Sequence, residues 1–224
     1  MKKYVLVSFD LCESTAMKRK IPNWPWIVFM FYNRVHNLRK EVIAHYPNKT
    51  IELNVWKSIG DEILLYHEIQ DESDIEKVIH SAVMIKHGLD VALDGAIRMA
   101  EELHNVDNSS QSVMRRTKSA IWTISATETG PSSTLDFQQH QSGNIVCKID
   151  GRLDYIGPDV DFGFRISGKS EANKIVVSDD VLQAFRCAKL SGIEPLSRYS
   201  ASTMEGVPLK GITDGATLHF LHEE

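Results

Sequence analysis

Two carboxylates stand at the ends of strand-like segments, and their positions predict a site for divalent cations. Asp10 follows the apolar residues 4–7, and Asp61 lies in a Gly-Asp turn between residues 51–56 and 63–66. Two neighbouring strands that end in this way can bring both carboxylates together. Hard divalent cations prefer such oxygen ligands, and phosphates bring these cations with them. The pair therefore predicts a metal-triphosphate site.

Each acid also has a purely structural explanation. Ser14 is a good N-cap, so Asp10 is explained equally well as part of a helix start. Gly60 and Asp61 together are a common hairpin turn. The two structural explanations together are weaker than the metal-triphosphate interpretation. Both acids lie at strand ends, and a third segment, residues 154–165, fits that interpretation as well.

The alternation and spacing of apolar residues predict an α+β fold. Apolar or alternating segments predict strands at residues 3–9, 51–56, 62–67, 120–127, 144–149, 174–178 and 217–221. Helical spacing predicts helices at residues 24–46, 71–103, 159–167 and 179–188. The order of the first elements is that of a ferredoxin-like βαββαβ core with extra C-terminal elements. Polar loops are expected at 105–112 and 129–143, and no linker divides the chain, so we expect a single domain, 1–224.

The composition excludes several classes of protein. The net charge of −5 over 224 residues argues against a nucleic-acid-binding surface, which usually carries a basic patch. The three cysteines are widely spaced, which favours free thiols in a reducing cytosol over a disulfide framework. The most apolar stretch, 24–32, is too short to span a bilayer, and no signal segment is visible. We therefore expect a cytoplasmic protein without a membrane or nucleic-acid partner.

One textual motif fails its structural requirements. Residues 163–170 match the Walker A pattern GxxxxGK[ST] letter for letter. A P-loop needs a strand before it and a helix after it. Here the preceding residues are helical in pattern, and residues 174–178 form the next predicted strand almost at once. The nine histidines likewise lack a zinc-like set of partners.

Three segments, in order, resemble the catalytic domain of the class III nucleotidyl cyclases. Residues 9–15 (FxDxxxST) and 57–62 (KxxGDE) are similar to the two metal motifs of that family. Residues 154–165 (DYxGxxVxxxxR) are similar to its base-and-transition-state motif. The sequence GPDVDFGFR within this segment looks most like the stand-alone bacterial pyrimidine cyclases of the Pycsar anti-phage systems. Residues 208–212 and 218–220 also resemble the end of that domain, so the resemblance covers nearly the whole chain.

The resemblance assigns the metal site. It implies that Asp10 and Asp61 hold two Mg²⁺ or Mn²⁺ ions, with the carbonyl of Leu11 as a further ligand. One ion would polarise the ribose 3′-hydroxyl for attack on the α-phosphorus, and the other would bridge the phosphates and ease departure of pyrophosphate.

The resemblance also assigns the recognition of the base. Lys57 and Asp154 match the base-reading positions, where adenylate cyclases carry a similar pair for adenine. A lysine donates and an aspartate accepts, so adenine, cytosine and uracil can each satisfy the pair in slightly different poses. The depth of the pocket is then expected to select a pyrimidine, through bulky neighbours such as Trp56 or Tyr155.

The remaining assigned positions depart in part from the family pattern. Arg165 matches the transition-state arginine, whose forked donors suit the oxygens of a phosphorane-like array. Asp161 stands where adenylate cyclases usually have asparagine, so we expect it to face the ribose or Arg165. The terminal phosphate-binding lysine of the family falls at Ala216. The candidates to replace that lysine are Lys210, Arg115 and Arg116.

In this family the site forms between two subunits. One subunit supplies the metal acids, here Asp10 and Asp61, and the other supplies Lys57, Asp154 and Arg165. The chain carries both sets, so the resemblance implies a two-fold homodimer with two equivalent sites.

The resemblance implies a phosphorus–oxygen lyase that makes a 3′,5′-cyclic pyrimidine monophosphate from UTP or CTP, with cUMP favoured over cCMP. The product would be read by a separate effector in antiviral defence, and the loop 129–143 is a candidate for control of the activity. Two alternatives stay open. Lys57 and Asp154 equally suit an adenylate cyclase, whereas Asp161 and Ala216 favour a catalytically inactive nucleotide-binding sensor.

Overall fold

A computed structural model describes residues 1–44, 51–104, 116–128, 143–149, 152–213 and 215–224. The described strands are β1 Lys2–Leu11, β2 Asn54–Ile59, β3 Glu62–Glu68, β4 Thr117–Glu128, β5 Asn144–Ile149, β6 Arg152–Ile156, β7 Lys174–Val177, β8 Tyr199–Val207 and β9 Ala216–Glu223. The helices are α1 Ser14–Lys20, α2 Trp24–Ala44, α3 Ser73–Leu103, α4 Pro158–Ser167 and α5 Asp179–Leu190. A 3₁₀ turn spans Leu196–Arg198.

All of these strands belong to one sheet. Its order is β2-β3-β1-β4-β7-β9-β8, and β5 pairs with both β4 and β6. The first four strands pair antiparallel in the order β2-β3-β1-β4, which is the arrangement of a ferredoxin-like core. The predicted α+β class and the predicted βαββαβ core are therefore confirmed, with β5–β9, α4 and α5 as the added elements.

The core lies on both faces of the sheet because alternate residues of β1 point in opposite directions. Val5, Val7 and Phe9 pack against the helices α2, α3 and α5. Tyr4 and Leu6 pack on the other face, with α4 and a group of aromatic side chains. Burial of each large apolar side chain contributes about 1.5–3 kcal/mol, so both faces of β1 stabilise its place in the sheet.

The predicted helices 24–46 and 71–103 are observed as α2 and α3. The apolar stripe of α2 is fully buried: Ile27, Phe31, Val35, Leu38 and Val42. Predicted residues 45 and 46 lie outside the described part of the chain. Among the described residues, no helix is both long enough and apolar enough to cross a membrane.

A buried ion pair on α3 fixes the beginning of β4. The Nζ of Lys86 lies 2.8 Å from Oδ2 of Asp90 and donates to the carbonyl oxygens of Thr117 and Ala172, at 2.7 and 2.8 Å. The Oδ1 of Asp90 accepts from the backbone N and the hydroxyl of Thr117, at 2.7 and 2.8 Å. Thr117 pairs with Leu11 in the sheet, so this network holds the strand next to the end of β1.

The replacement Lys86→Met is expected to lower the free energy of unfolding by about 3–5 kcal/mol, because Asp90 would remain buried without its partner. Urea denaturation measures the loss. The matched control is Arg98→Met on the same helix, whose ion pair with Asp94 is exposed and contributes at most about 1 kcal/mol. Similar losses in the two variants would show that the Lys86 pair does not stabilise the fold.

The structure corrects several boundaries. The strand predicted at 51–56 begins only at Asn54 and runs to Ile59, although Ile51 and Leu53 are buried. Three elements were not predicted, namely α1, β6 and β8. Helix α1 has only seven residues, β6 has five, and the middle of β8 is exposed on both faces, so none has a strong periodic signal. The Walker-like residues 163–170 begin inside α4, so a helix and not a strand directly precedes them. The predicted loop 105–112 lies outside the described residues, as does 129–143 except for Gly143.

Candidate active site

The two predicted metal acids meet at the end of the sheet. Asp10 is next to the last residue of β1 and pairs with Glu62, the first residue of β3. Asp61 lies in the β2–β3 turn, where Gly60 adopts a left-handed φ of 65°. The hydroxyl of Tyr32 donates to the Gly60 carbonyl and fixes the turn. The pairing therefore brings the Asp10 and Asp61 carboxyl groups into direct interaction.

The charges around this pair are unequal. Burial raises the pKa of Asp10, and the neighbouring Asp61 carboxylate raises it further, while the Lys118 ammonium at 2.7 Å opposes both. Burial alone would raise the pKa of Asp61 too. Hydrogen bonds from Ser14 and Lys18 outweigh that effect, so the pKa of Asp61 lies below its usual value. The pair thus combines an acid of lowered pKa, Asp61, with one of raised pKa, Asp10.

Ser14 is therefore a partner of Asp61 and does not cap a helix. Glu13 occupies the N-cap position of α1, with a φ of 49°. The N-cap explanation for this segment is wrong, whereas the Gly60-Asp61 hairpin turn is observed together with the carboxylate pair.

The acid pair fits a hard divalent cation. Asp10 and Asp61 supply carboxylate oxygens, and a bound cation would offset the burial and the Asp61 charge that raise the pKa of Asp10. Leu11 is the adjacent residue at the end of β1, and its role as a carbonyl ligand stays a prediction. No group of three or more His, Cys, Asp or Glu side chains converges as a metal site within the described ranges. A hard cation held by two carboxylates would take further oxygen ligands from phosphate or water.

Lys57 and Asp154 also meet, as the sequence predicts. The Nζ of Lys57 on β2 lies 2.9 Å from Oδ1 of Asp154 on β6. The same oxygen accepts from Nε1 of Trp56 at 3.1 Å and from the backbone N of Tyr155 at 3.0 Å. Burial would raise the pKa of Asp154, but the Lys57 hydrogen bond and charge keep it below the usual value. Both side chains are about one-third exposed, at 35% and 34%, so a ligand can reach the pair.

A β-bulge explains how two consecutive residues reach one carboxylate. In a regular strand, Trp56 and Lys57 would point to opposite faces. The β2–β3 register shifts between Val55 and Lys57, which leaves Trp56 as the extra residue. A bulge of this kind re-aims side chains locally. It places the Lys57 ammonium 4.0 Å from the centre of the Trp56 ring, in a cation–π contact.

Aromatic rings form a wall behind the Lys57–Asp154 ion pair. Trp56 and Tyr155 pack edge to face with ring centres 5.0 Å apart, and Phe164 lies 5.9 Å from Trp56. Trp56 is 8% exposed and Tyr155 is 2% exposed. Burial raises the pKa of the Tyr155 phenol, whose oxygen is buried and has no hydrogen-bond partner in the described structure. These buried rings form a packed wall beside Lys57 and Asp154.

Arg165 and Asp161 both lie on α4, one turn apart. Gly157, with a φ of 148°, precedes the helix, and Pro158 opens it. Asp161 is exposed, and no ion pair links it to Arg165 among the described residues. Nη1 of Arg165 is buried and has no hydrogen-bond partner in the described ranges. The expectation that Asp161 faces the ribose stays a prediction.

The phosphate candidates are less well defined. Lys210 is exposed in the connection between β8 and β9. Arg116 is about half exposed and lies 3.9 Å from Asp90, so part of its charge is already neutralised. Arg115 lies outside the described residues.

The sequence interpretation missed two lysines next to the acids. Lys18 pairs with Asp61 at 3.0 Å, and Lys118 pairs with Asp10 at 2.7 Å. The position of Lys118 follows from the β1–β4 pairing, in which it lies opposite Asp10. Recognition of that pairing from the ferredoxin-like order would have been the available signal for Lys118.

Comparison with known proteins supports the fold. No protein-family model matches the chain, and no curated protein matches it by sequence. Among solved structures, the adenylyl cyclase CyaB from P. aeruginosa superposes with a TM-score of 0.62 and is 12% identical, over 100% of this chain and 95% of that one. The chain has the fold of the class III cyclases.

Guanylyl cyclases match this cyclase fold as well. The guanylyl cyclase Cya2 has a TM-score of 0.57 and is 16% identical, over 99% of this chain and 91% of that one. The guanylate cyclase domain of RhGC from Catenaria anguillulae, solved in complex with GTP, has a TM-score of 0.56 at 11% identity, over 100% and 98% of the two chains. At these identities the likeness shows the fold, and the predicted cyclase fold is confirmed.

Proposed function

We propose that this chain is a metal-dependent nucleotidyl cyclase that converts a pyrimidine nucleoside triphosphate into its 3′,5′-cyclic monophosphate. The observation that carries the proposal is the direct interaction of Asp10 with Asp61 at the strand ends of a cyclase fold. The pairing of Lys57 with Asp154 at 2.9 Å supports it independently.

The chemistry is an in-line displacement. The ribose 3′-oxygen gives its proton to water and bonds to the α-phosphorus, while the bond from that phosphorus to the leaving pyrophosphate oxygen breaks. Mg²⁺ or Mn²⁺ ions bound by Asp10, Asp61 and the Leu11 carbonyl would supply charge neutralisation and polarisation of the hydroxyl. Arg165 donates to the oxygens on which charge develops.

The proposed substrate is UTP, with CTP as the second choice. Lys57 donates to a base acceptor, and Asp154 accepts from a base N–H through its second oxygen, because Oδ1 already receives three hydrogen bonds. The Trp56–Tyr155 wall favours the smaller ring system. By analogy with the sequence resemblance, the full site forms across a homodimer of this single-domain chain, in the cytoplasm, and its product signals to a separate effector in antiviral defence.

One alternative within the same class is an adenylate cyclase. The Lys57–Asp154 ion pair suits adenine, and the adenylyl cyclase CyaB shares the fold. An alternative of another class is an inactive nucleotide-binding sensor, which the exposed Asp161 carboxylate favours.

Incubation of the pure protein with each of ATP, GTP, CTP and UTP in the presence of Mn²⁺ tests the proposal, with cyclic products identified by mass spectrometry. We expect cUMP as the main product and a smaller yield of cCMP. Production of cAMP alone would establish the adenylate cyclase. Nucleotide binding without any cyclic product would establish the sensor.

A further inference from the structure

The connection between β8 and β9 lies directly against the guanidinium of Arg165. Gly211 in this connection has a left-handed φ of 77°. A Cβ atom on Gly211 would lie 2.9 Å from Nη1 of Arg165, 3.5 Å from Nη2 and 3.6 Å from Cζ. The distance to Nη1 is shorter than real side chains tolerate. The close approach therefore depends on the absence of a side chain at Gly211.

The contact with Gly211 restricts one part of the guanidinium but supplies no hydrogen-bond acceptor for it. Nη1 of Arg165 is buried and has no hydrogen-bond partner in the described part of the chain. An unpaired buried donor is costly, and a charged one more so, which is a reason to expect such groups at functional sites. Arginine is also a long, flexible side chain that loses rotamer entropy when held in one pose. A fixed backbone surface beside it reduces the poses it can adopt.

We propose that Gly211 is a positioning residue for Arg165, and this inference rests on the proposed function. Its bare backbone sets where the guanidinium sits relative to the reacting phosphate. Gly211 itself touches no substrate and acts through Arg165 alone.

The connection is better anchored than the arginine, so a new side chain would move the arginine. Leu209 is 5% exposed and packs in the core beside α4. The backbone N of Ile212 donates to the carbonyl of Leu209 at 3.0 Å and closes the turn around Gly211. The atoms that a Cβ would meet are the far end of the flexible Arg165 side chain. A substitution at Gly211 should therefore displace the guanidinium while the fold persists.

Gly206 provides a matched control in the same hairpin. Its φ is 66°, close to that of Gly211, but a Cβ there would meet no atom within 4 Å. Alanine at either position adopts the same unfavourable left-handed conformation. Only alanine at Gly211 also presses on Arg165.

The experiment compares Gly211→Ala with Gly206→Ala, alone and in an Arg165→Ala background. We expect Gly211→Ala to lower kcat for UTP about a hundredfold, the scale of a misplacement of roughly 1 Å, with KM little changed. Gly206→Ala should keep the wild-type kcat, and both variants should show similar melting temperatures. In the Arg165→Ala background, Gly211→Ala should cause no further loss.

The asparagine variants Gly211→Asn and Gly206→Asn keep the test decisive if alanine disturbs folding, because asparagine tolerates a left-handed φ better and still carries a Cβ. A wild-type kcat in a folded Gly211 variant would overturn the inference. An equal loss in the Arg165→Ala background would also overturn it, since the effect would then pass through another group such as Lys210. Full activity of Arg165→Ala would overturn the role of the arginine itself and, with it, that of Gly211. Absence of product from the wild-type protein with all four nucleotides would overturn the proposed function separately.

Discussion

Replacement of Asp61 by asparagine should lower the rate of cyclisation about a hundredfold to a thousandfold. Losses of this size are seen when one group that stabilises charge in the transition state is removed. The substitution keeps the shape of the side chain and removes its charge. Asp61 is the more acidic member of the pair, because Ser14 and Lys18 hold its pKa below the usual value. Its neutralisation therefore removes the carboxylate best prepared to hold a cation.

The same substitution should not destabilise the protein. It weakens the ion pair with Lys18, which is partly exposed and contributes about 0–1 kcal/mol. It also removes the negative charge that raises the pKa of Asp10, and that relief favours the folded state. Loss of activity without loss of stability is typical of residues that serve a site at the expense of the fold.

Three measurements check this prediction, namely product formation from UTP, Mn²⁺ binding by electron paramagnetic resonance, and the melting temperature. Asp94→Asn, an exposed acid on α3, is the control for loss of a negative charge. Product formation by Asp61→Asn within a few-fold of the wild type would refute the two-metal assignment. A melting temperature far below that of Asp94→Asn would show that Asp61 serves mainly to stabilise the fold.

The sequence predicts those elements whose periodicity is maintained by burial. The stripe from Ile27 to Val42 repeats at helical spacing because each of its members faces the core. The middle of β8 is exposed on both faces, so no alternation marks it. Helix α1 is too short for a period and is held by its contacts with other elements, including that of Lys18 with Asp61. Patterns therefore identify the scaffold better than its short additions.

The geometry of the site was predictable only where it depends on residues near one another in the sequence. Asp10 and Asp61 could be placed together because each ends a strand beside a recognisable hairpin. Lys118 could not be placed without the register of β1 against β4, two strands that are far apart in the sequence. The position of Trp56 depends on a bulge, since strict alternation would have put it on the face opposite Lys57. A one-residue irregularity thus decides which side chains surround the Asp154 carboxylate.

The replacement Asp154→Ala should lower kcat/KM for UTP, with a loss of about 3–5 kcal/mol in transition-state stabilisation. The loss arises because charged hydrogen bonds disappear and their donors are left unpaired. Oδ1 of Asp154 accepts from Lys57, Trp56 and the backbone of Tyr155. Its removal frees the Lys57 ammonium and leaves the Trp56 indole N–H without this acceptor. The base then loses its acceptor and meets a lysine that is no longer held in place.

The cyclisation activity of Asp154→Ala on the four nucleotides, together with its Mn²⁺ binding, shows whether Asp154 recognises the base or supports the structure. Asp154→Ala should reduce cyclisation of UTP and CTP strongly, while Mn²⁺ binding at the Asp10–Asp61 pair stays unchanged, because Asp154 belongs to the β5–β6 hairpin and not to the strand ends that carry the acids. The control Asp180→Ala removes an acid whose partners are Lys3 and Thr123 on the sheet, and it should leave turnover intact. A variant that cyclises UTP as well as the wild type would exclude Asp154 from base reading. Selection of the base would then rest on Lys57 and the Trp56–Tyr155 wall.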